Sequence, residues 1–293
     1  MPRINKVIEL LEQGQPVYYH GHRELSYDAG VKAAQTWADY ITVDMEHSPF
    51  DIPRLREFMK GLVAGGPTKS GHRTPAIVVT LPMNGSSEEE VRYNAWMIKQ
   101  VLACGVHGLL LCHAETPGAV KAFVEASRYP FHTIGVGKGL DVGRRGSGGQ
   151  GLAAEIWGLS VQEYLQKADV WPLNPNGEII LGLKIENRRA LVNAELSVRV
   201  PGICFAEWGP GDMGMSFGHP DAHDPPYPRE MQEARTRVFN ACKAAGVHFL
   251  NGVRASDVVQ MIDEGVKFCA TGGPEGAKTA EIGRKHTGRK MPW

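Results

Sequence analysis

The sequence predicts an α/β protein that folds as a single (β/α)8 TIM barrel. Short apolar runs alternate with longer segments of helical periodicity along nearly the whole chain, and eight such pairs are present. The length of 293 residues suits one large barrel. Glycine is in excess, with 35 residues against roughly 20 expected from average usage, which indicates many loops. A doubly wound open sheet is the alternative architecture that the same alternation allows.

The strands are predicted from apolar runs of strand length, and the helices from apolar residues that recur every three or four positions. The predicted strands cover residues 17–20, 40–44, 76–80, 108–112, 179–186, 203–208, 247–251 and 267–271. The predicted helices cover residues 27–38, 52–63, 88–104, 117–127, 161–168, 188–195, 228–245 and 255–264. Together these units predict one catalytic barrel domain over residues 1–271.

Two stretches fit this alternation poorly. Residues 132–158 are rich in glycine and arginine and too long for an ordinary barrel loop, so we expect an active-site loop or a subunit contact. Within them, Arg144 and Arg145 are either a solvated pair or cations of a cover that binds a second carboxylate of the substrate. The C-terminal tail, residues 272–293, is expected to be either disordered or docked on a neighbouring subunit.

Composition argues against several classes of protein. The 32 basic and 32 acidic residues give a net charge of zero, so the chain lacks the overall basic charge typical of a nucleic-acid-binding protein. No apolar run approaches the ~18–20 residues that a membrane-spanning helix needs. The five cysteines form no Cys-x-x-Cys pair, and the first residues lack the apolar core of a signal peptide. These features predict a cytoplasmic protein with reduced thiols.

Catalytic side chains of a TIM barrel cluster at the C-terminal ends of its strands, which form the barrel mouth. Because side chains alternate along a strand, Lys184 and Glu186 are expected to point together into this mouth. By the same alternation Thr42, Asp44 and Glu46 are expected to face inward. Several acidic groups in one small mouth require a metal ion, a bound proton or a lysine.

A hard divalent metal ion is one way to balance these charges. Glu186 and Asp212 supply carboxylate oxygens, and water completes the octahedron that such an ion prefers. The alternative from spacing alone is a structural ion-pair network without a metal.

Six short segments occur in an order that characterises a known family. They are residues 44–51 (Asp-Met-Glu-His-Ser-Pro-Phe-Asp), 98–105, 127–130, 164–168, 184–187 and 209–218. Together they resemble the metal-dependent class II pyruvate aldolases of the aldolase/citrate lyase family, which include 4-hydroxy-2-oxoheptanedioate and 2-dehydro-3-deoxyglucarate aldolases. The resemblance implies a (β/α)8 barrel, usually in a hexamer built from dimers that exchange their C-terminal helices.

The resemblance also implies roles for individual residues. Glu186 and Asp212 match the ligands of a divalent cofactor, Mg²⁺ or Mn²⁺, with Co²⁺ as a further candidate. His47, steadied by Asp44, matches the acid/base, which suits a histidine because its pKa lies near neutrality. The backbone N–H groups of Gly209 through Asp212 match a cradle for the substrate carboxylate, where the small Gly211 permits close approach.

The chain departs from the family pattern at two positions. Thr80 occupies the end of strand three, where the family typically has an arginine that polarises the keto oxygen. Lys184 lies where the family tends to have glutamine, two residues before the metal-binding glutamate. We hypothesise that Lys184 replaces the missing arginine; the alternative is that it only neutralises nearby acids. Trp208 is a further candidate for lining the site, with core packing as its alternative, and Thr80 is placed among the substrate-binding residues.

These features predict a lyase that cleaves or forms a C–C bond to a pyruvate-like 2-oxo acid through a metal-stabilised enolate. The expected partners are a small 2-oxo acid, an aldehyde and further copies of the chain. The alternatives are a 2-oxo diacid decarboxylase of the oxaloacetate type and a non-catalytic barrel that binds a small acid. A citrate-lyase-like enzyme that cleaves acyl-CoA ranks last, because no basic pocket for the CoA phosphates is evident.

Overall fold

A computed structural model describes residues 3–293, and within them nine strands form one parallel sheet. The strands are β1 (Val17–His22), β2 (Tyr40–Asp44), β3 (Ala76–Asn84), β4 (Gly108–Cys112), β5 (Val170–Trp171), β6 (Ile179–Lys184), β7 (Phe205–Glu207), β8 (His248–Gly252) and β9 (Phe268–Ala270). The sheet closes into a barrel of eight strands because β4 pairs with both β3 and β6 and β1 pairs with both β2 and β9. The short β5 pairs only with the first residues of β6. The closed barrel confirms the predicted fold and excludes the open sheet.

Thirteen helices flank the barrel within the described range. They are α1 (Lys6–Glu12), α2 (Tyr27–Ala33), α3 (Ile52–Ala64), α4 (Glu88–Leu102), α5 (Pro117–Ser127), α6 (Gln150–Trp157), α7 (Val161–Lys167), α8 (Arg188–Val192), α9 (Ala194–Ser197), α10 (Pro210–Phe217), α11 (Arg229–Ala245), α12 (Val258–Glu264) and α13 (Gly276–His286). Every helix in this range is too short or too polar to span a membrane.

Local sequence determines where several helices begin. The hydroxyl of Ser87 accepts a hydrogen bond from the backbone N–H of Glu90, and Thr116 caps α5 in the same way. Asn187 caps α8 directly after β6, so the chain turns away from the barrel mouth at this point. The caps fix the ends of the βα connections, where the side chains of the mouth are found.

Strand alternation divides the core into two layers. Inward side chains and one face of α1 fill the barrel interior, and outward side chains pack against the surrounding helices. The interior layer comprises Val7, Ile8, Leu10, Leu11, Val17, Tyr40, Ala76, Val78, Leu110, Ile180, Cys204, Phe205, Leu250 and Phe268. Helix α1 therefore closes the N-terminal end of the barrel and leaves the opposite end open. The five cysteines are buried and free, as predicted.

A buried group of charges holds the chain termini to the closed end. The carboxylate of Asp39, directly before β2, contacts Lys6 of α1, Arg284 of α13 and Arg289. We call these four residues the Asp39 cluster. Burial opposes ionisation of Asp39, but the hydrogen bonds and charges of Arg289 and its neighbours lower the pKa of this carboxyl to about 2.

The structure corrects the expectation of an active-site loop for residues 132–158, whereas a subunit contact of this stretch stays a prediction. Part of this stretch is helix α6, and the remainder is tied to the C-terminal end of α5 by hydrogen bonds from the backbone of Arg144 and Arg145. This connection runs from a helix towards a strand, so it lies at the closed end and does not cover the mouth.

The C-terminal tail is not disordered in the described residues. Helix α13 packs against α12 of the same chain, and Gly283 lies against the Tyr18 hydroxyl. Exchange of this helix between subunits stays a prediction.

Candidate active site

Three carboxylates and one ammonium group meet in the barrel mouth. Lys184 Nζ lies 2.5 Å from Glu46 Oε2 and 2.9 Å from Glu186 Oε2. Glu207 of β7 lies beside Lys184 in the register of the sheet. We call Glu46, Lys184, Glu186 and Glu207 the mouth cluster. Strand alternation turns Lys184 and Glu186 inward, as predicted, and three acids there share one lysine.

The electrostatics of the mouth cluster follow from this imbalance. Burial alone would lower the pKa of Lys184, but Glu186, Glu207 and Glu46 together raise it well above its usual range. Burial raises the pKa of Glu207 to about 7 although Lys184 opposes the shift, and burial also raises the pKa of Glu186. The lysine therefore stays charged, whereas its single positive charge does not offset the effect of burial on the pKa values of Glu186 and Glu207.

Glu186 keeps a carboxylate oxygen available for a cation. Its Oε1 accepts the backbone N–H of His113 at 2.9 Å, which fixes the carboxylate. Its Oε2 has no hydrogen-bond partner among the described residues, since the contact with Lys184 lacks hydrogen-bond geometry. A Cβ at Gly209 would lie 2.7 Å from this oxygen, and Gly209 has a φ of +49°. Only glycine lets the backbone come this close, so the residues fit a hard divalent ion.

Helix α10 begins next to this carboxylate and carries Asp212 in its first turn. The N–H groups of Gly211 and Asp212 have no partner within the helix, because the first turn lacks preceding carbonyls. Asp212 also lines a cavity of about 690 Å³ together with His113, Asn187 and Arg188. The arrangement suits an anionic group at the helix N-terminus next to the carboxylate of Glu186.

Asp44 and His47 form a hydrogen-bonded pair at the end of β2. Asp44 Oδ2 lies 2.9 Å from His47 Nδ1, and Asp44 Oδ1 accepts the backbone N–H groups of Glu46 and His47. The hydrogen bond that His47 Nδ1–H donates to Asp44 raises the pKa of His47. Because Nδ1 is held by Asp44, Nε2 is the nitrogen left to exchange a proton with a ligand.

Other predicted residues differ in how close they come to the mouth cluster. Thr80 is buried and pairs with Asp44 in the sheet, so it lies on the same inner wall. Trp208 faces outward, because it follows the inward Glu207; it packs in the outer core and donates to Asn251 Oδ1. Trp208 also lines a cavity of about 860 Å³ at the C-terminal ends of β7, β8 and β9, next to Pro210 at the start of α10, so its contact with a ligand stays a prediction.

The two loop arginines are also remote from the mouth. Arg145 is buried and donates to the Tyr164 hydroxyl, with its guanidinium over the Tyr129 ring. Arg144 is exposed near Glu125. The idea that they cover the site is wrong, because their segment lies at the closed end of the barrel.

Three residues outside the predicted set of site residues also lie in the mouth, and of these Glu46 was already expected to face inward. Glu46 and Glu207 belong to the mouth cluster, and His113 bridges towards Glu46 and Glu186. His113 is a non-glycine residue with a φ of +44°, a conformation that is held here by its bond to Glu186. All three residues follow or end a strand. Phe205 faces the barrel interior, and because side chains alternate along a strand, Glu207 two residues later could have been predicted to face inward as well.

Comparisons with known proteins identify a matching family. The family model for HpcH/HpaI aldolase/citrate lyase matches residues 28–278. A 2-keto-3-deoxy-L-rhamnonate aldolase from Klebsiella pneumoniae subsp. pneumoniae is 31% identical over 224 residues, which cover 75% of this chain and 70% of that protein.

Solved structures extend the likeness to the fold. An HpcH/HpaI aldolase/citrate lyase family protein from Burkholderia cenocepacia has a TM-score of 0.71 at 22% identity, over 96% of this chain and 97% of that one. The citrate lyase beta subunit from Mycobacterium tuberculosis, complexed with oxaloacetate and magnesium, has a TM-score of 0.56 at 12% identity, over 92% and 97%. The chain therefore belongs to the HpcH/HpaI aldolase/citrate lyase family, and the prediction of a carbon–carbon lyase of the aldolase type is confirmed.

Proposed function

Because the chain is a member of this family, we propose that it forms or cleaves the C–C bond between a pyruvate-like 2-oxo acid and an aldehyde. The observation that carries the proposal is the mouth cluster, in which Glu186 Oε2 lies 2.9 Å from the Lys184 ammonium group, beside Gly209 and the start of α10, without an aligned hydrogen bond. A divalent ion held by Glu186 and Asp212 would bind the 2-oxo acid and stabilise the negative charge that develops on it.

The protein's own residues would move the proton and orient the acid. In the cleavage direction, His47 Nε2 takes the proton of the C4 hydroxyl, the C3–C4 bond breaks, and the aldehyde leaves. The electron pair stays on the pyruvate enolate, which takes at C3 the proton that His47 received, so the neutral imidazole is restored. The N–H groups of Gly211 and Asp212 would hold the carboxylate, and Thr80 would line the wall beside it.

Lys184 is proposed to act as the cation that the family usually supplies from strand three. Its ammonium group is buried and charged, and no other lysine or arginine among the described residues pairs with Glu46 or Glu186. Negative charge on the keto oxygen would be stabilised by a fixed ammonium group in a site of low dielectric. Neutralisation of nearby acids alone is the competing role.

Three further features belong to the same proposal. The ion is Mg²⁺ or Mn²⁺, with Co²⁺ as a further candidate; the magnesium in the citrate lyase beta subunit supports the first. The protein acts in the cytoplasm, and it assembles into a homo-oligomer such as a hexamer.

Product analysis with and without EDTA tests the proposal. Pyruvate and an aldehyde, both lost on chelation, are expected from 4-hydroxy-2-oxo acids. Pyruvate and CO₂ from oxaloacetate, without aldehyde release, would identify a decarboxylase instead. Metal binding without turnover on a broad panel of 2-oxo acids would identify a binding protein.

A further inference from the structure

A second cavity lies at the closed end of the barrel, far from the mouth. It measures about 300 Å³ and is bounded by residues that precede β3 and β4 and by the ends of α6 and α7. We call it the basal cavity. Its volume is at the lower limit of cavities that bind small organic molecules.

His107 supplies the basal cavity with a fixed hydrogen-bond donor. The side chain is 1% exposed, and Nδ1 accepts the backbone N–H of Ile77 at 3.2 Å. Burial lowers the pKa of His107 to about 3, so the ring is neutral and its single proton is on Nε2. Among residues 3–293, Nε2–H has no hydrogen-bond partner, although the side chain lines the cavity. An acceptor atom of a ligand in the cavity would complete the hydrogen bonding of this ring.

Cationic side chains surround the opening of the basal cavity. Arg3, Arg73 and Lys167 line it, against the single carboxylate of Glu9. Arg3 and Lys167 share Glu178. The guanidinium of Arg73 contacts only backbone carbonyls of Glu155 and Ile156 and has no carboxylate within ion-pair distance among the described residues. One cation at the opening is therefore left to bind an anion.

The inner wall of the basal cavity is flat and apolar. The Trp157 indole stacks on the His107 ring at 5.8 Å with an interplanar angle of 17°, and its Nε1–H already donates to Gly105 O. Ile4, Ile156 and Leu159 complete the apolar lining. Such a wall favours a planar apolar body over a hydrated inorganic ion.

We propose that the basal cavity is a second ligand site, which binds a small carboxylate with a flat apolar body. The carboxylate accepts from His107 Nε2–H and pairs with Arg73, while the apolar body lies against Trp157 and Ile156. The site is independent of the chemistry proposed for the mouth.

Titration calorimetry of the full-length protein with benzoate tests this proposal. Benzoate binds with one site per chain, and EDTA does not change its affinity. Benzyl alcohol, which lacks the charge, and inorganic phosphate, which lacks the apolar body, each bind at least about tenfold more weakly.

Two variants locate the site and one serves as a control. Arg73→Gln, at an exposed side chain, weakens benzoate binding about tenfold. His107→Asn weakens it similarly, because the amide oxygen still accepts from Ile77 while the Nε2–H donor is lost. Arg229→Gln, with a side chain 90% exposed on α11, leaves it unchanged.

Three outcomes would overturn the proposal. The first is no benzoate binding, and the second is unchanged affinity in both Arg73→Gln and His107→Asn. The third is equal affinity for phosphate and benzoate, which would show that the site recognises the negative charge and not an apolar body. Aldolase activity of Arg73→Gln is expected to equal that of the wild type, so failure here is distinguishable from failure of the proposed function.

Discussion

The two ends of the barrel carry charge clusters of opposite composition. At the closed end, one carboxylate, Asp39, is surrounded by Lys6, Arg284 and Arg289. At the mouth, one ammonium group, Lys184, serves three carboxylates. The first arrangement satisfies its carboxylate and holds the termini in place. The second leaves an acidic excess, which a protein tolerates where a cation or substrate compensates it.

Loss of charge at Glu186 is expected to have the largest effect on activity. Glu186→Gln keeps the shape of the side chain but removes the charge that would hold the ion, so turnover falls by about 10⁴-fold or more. Steady-state pyruvate release measures this loss. Glu115→Gln, in the same mouth but paired with Arg189, is the matched control and stays within about tenfold of wild type. Equal losses in the two variants would contradict a special role for Glu186.

Loss of the single acid at the closed end is expected to act on stability instead. Asp39→Asn leaves three buried cations without their partner, so the free energy of unfolding falls by about 3–5 kcal/mol. Glu46→Gln at the mouth removes one of several excess acids and costs about 1 kcal/mol or less. Urea unfolding of both variants measures the difference. Equal destabilisation would remove the distinction between the two clusters.

The pKa of the Asp39 carboxyl group predicts how the stability of the protein changes in acid. The pKa of Asp39 is about 2 in the folded chain, below its ordinary value of 3.8. The ionised Asp39 therefore contributes fully to the free energy of unfolding above pH 3.8. This contribution is lost as the pH falls through about 2. In Asp39→Asn the free energy of unfolding should depend less on pH between about 2 and 3.8 than in the wild type. The same pH dependence in both proteins would contradict the role given to Asp39.

Replacement of Lys184 separates its two proposed roles. Lys184→Met is expected to lower turnover by about 10²-fold or more while Mn²⁺ binding is retained, because the cation that stabilises the keto oxygen is lost. Lys60→Met, an exposed surface variant, is the control. Near-wild-type turnover in Lys184→Met would show that the lysine only neutralises acids.

The smallest expected effect is a shift in the pH dependence of cleavage. The hydrogen bond that His47 donates to Asp44 raises the pKa of His47. Cleavage needs the neutral ring as base, so the rate rises with pH through this pKa. Asp44→Asn removes the carboxylate that raises the pKa of His47. The rise of kcat with pH should therefore occur at lower pH, and the maximal kcat should be lower. If kcat rises at the same pH in the variant and the wild type, a group other than His47 controls the pH dependence.

Sequence reasoning was sufficient where the relevant contacts are local. Alternation along β6 placed Lys184 and Glu186 in the mouth, and the family resemblance anticipated the hydrogen bond between Asp44 and His47. It failed where partners come from distant segments. Glu46 meets Lys184 across 138 positions, and the Asp39 cluster joins α1, the start of β2 and the tail.

The loop arginines illustrate a different difficulty. Their composition resembles that of an anion-binding cover, but the direction of the connection determines which end of the barrel it reaches. Helix α6, inside the stretch interpreted as a loop, lacks a side-chain cap and begins after Gly149, so its start carries little sequence signal. Helix boundaries of this kind depend on packing against the barrel.

Mn²⁺ titration of the metal-free protein, followed in parallel by calorimetry and pyruvate release, tests the central claim most directly. We predict that one ion binds per chain, that turnover rises in proportion to occupancy, and that Glu186→Gln abolishes both. Full turnover of the metal-free wild-type protein, or unchanged Mn²⁺ binding by Glu186→Gln, would contradict the assignment of the mouth cluster as a metal-dependent active site.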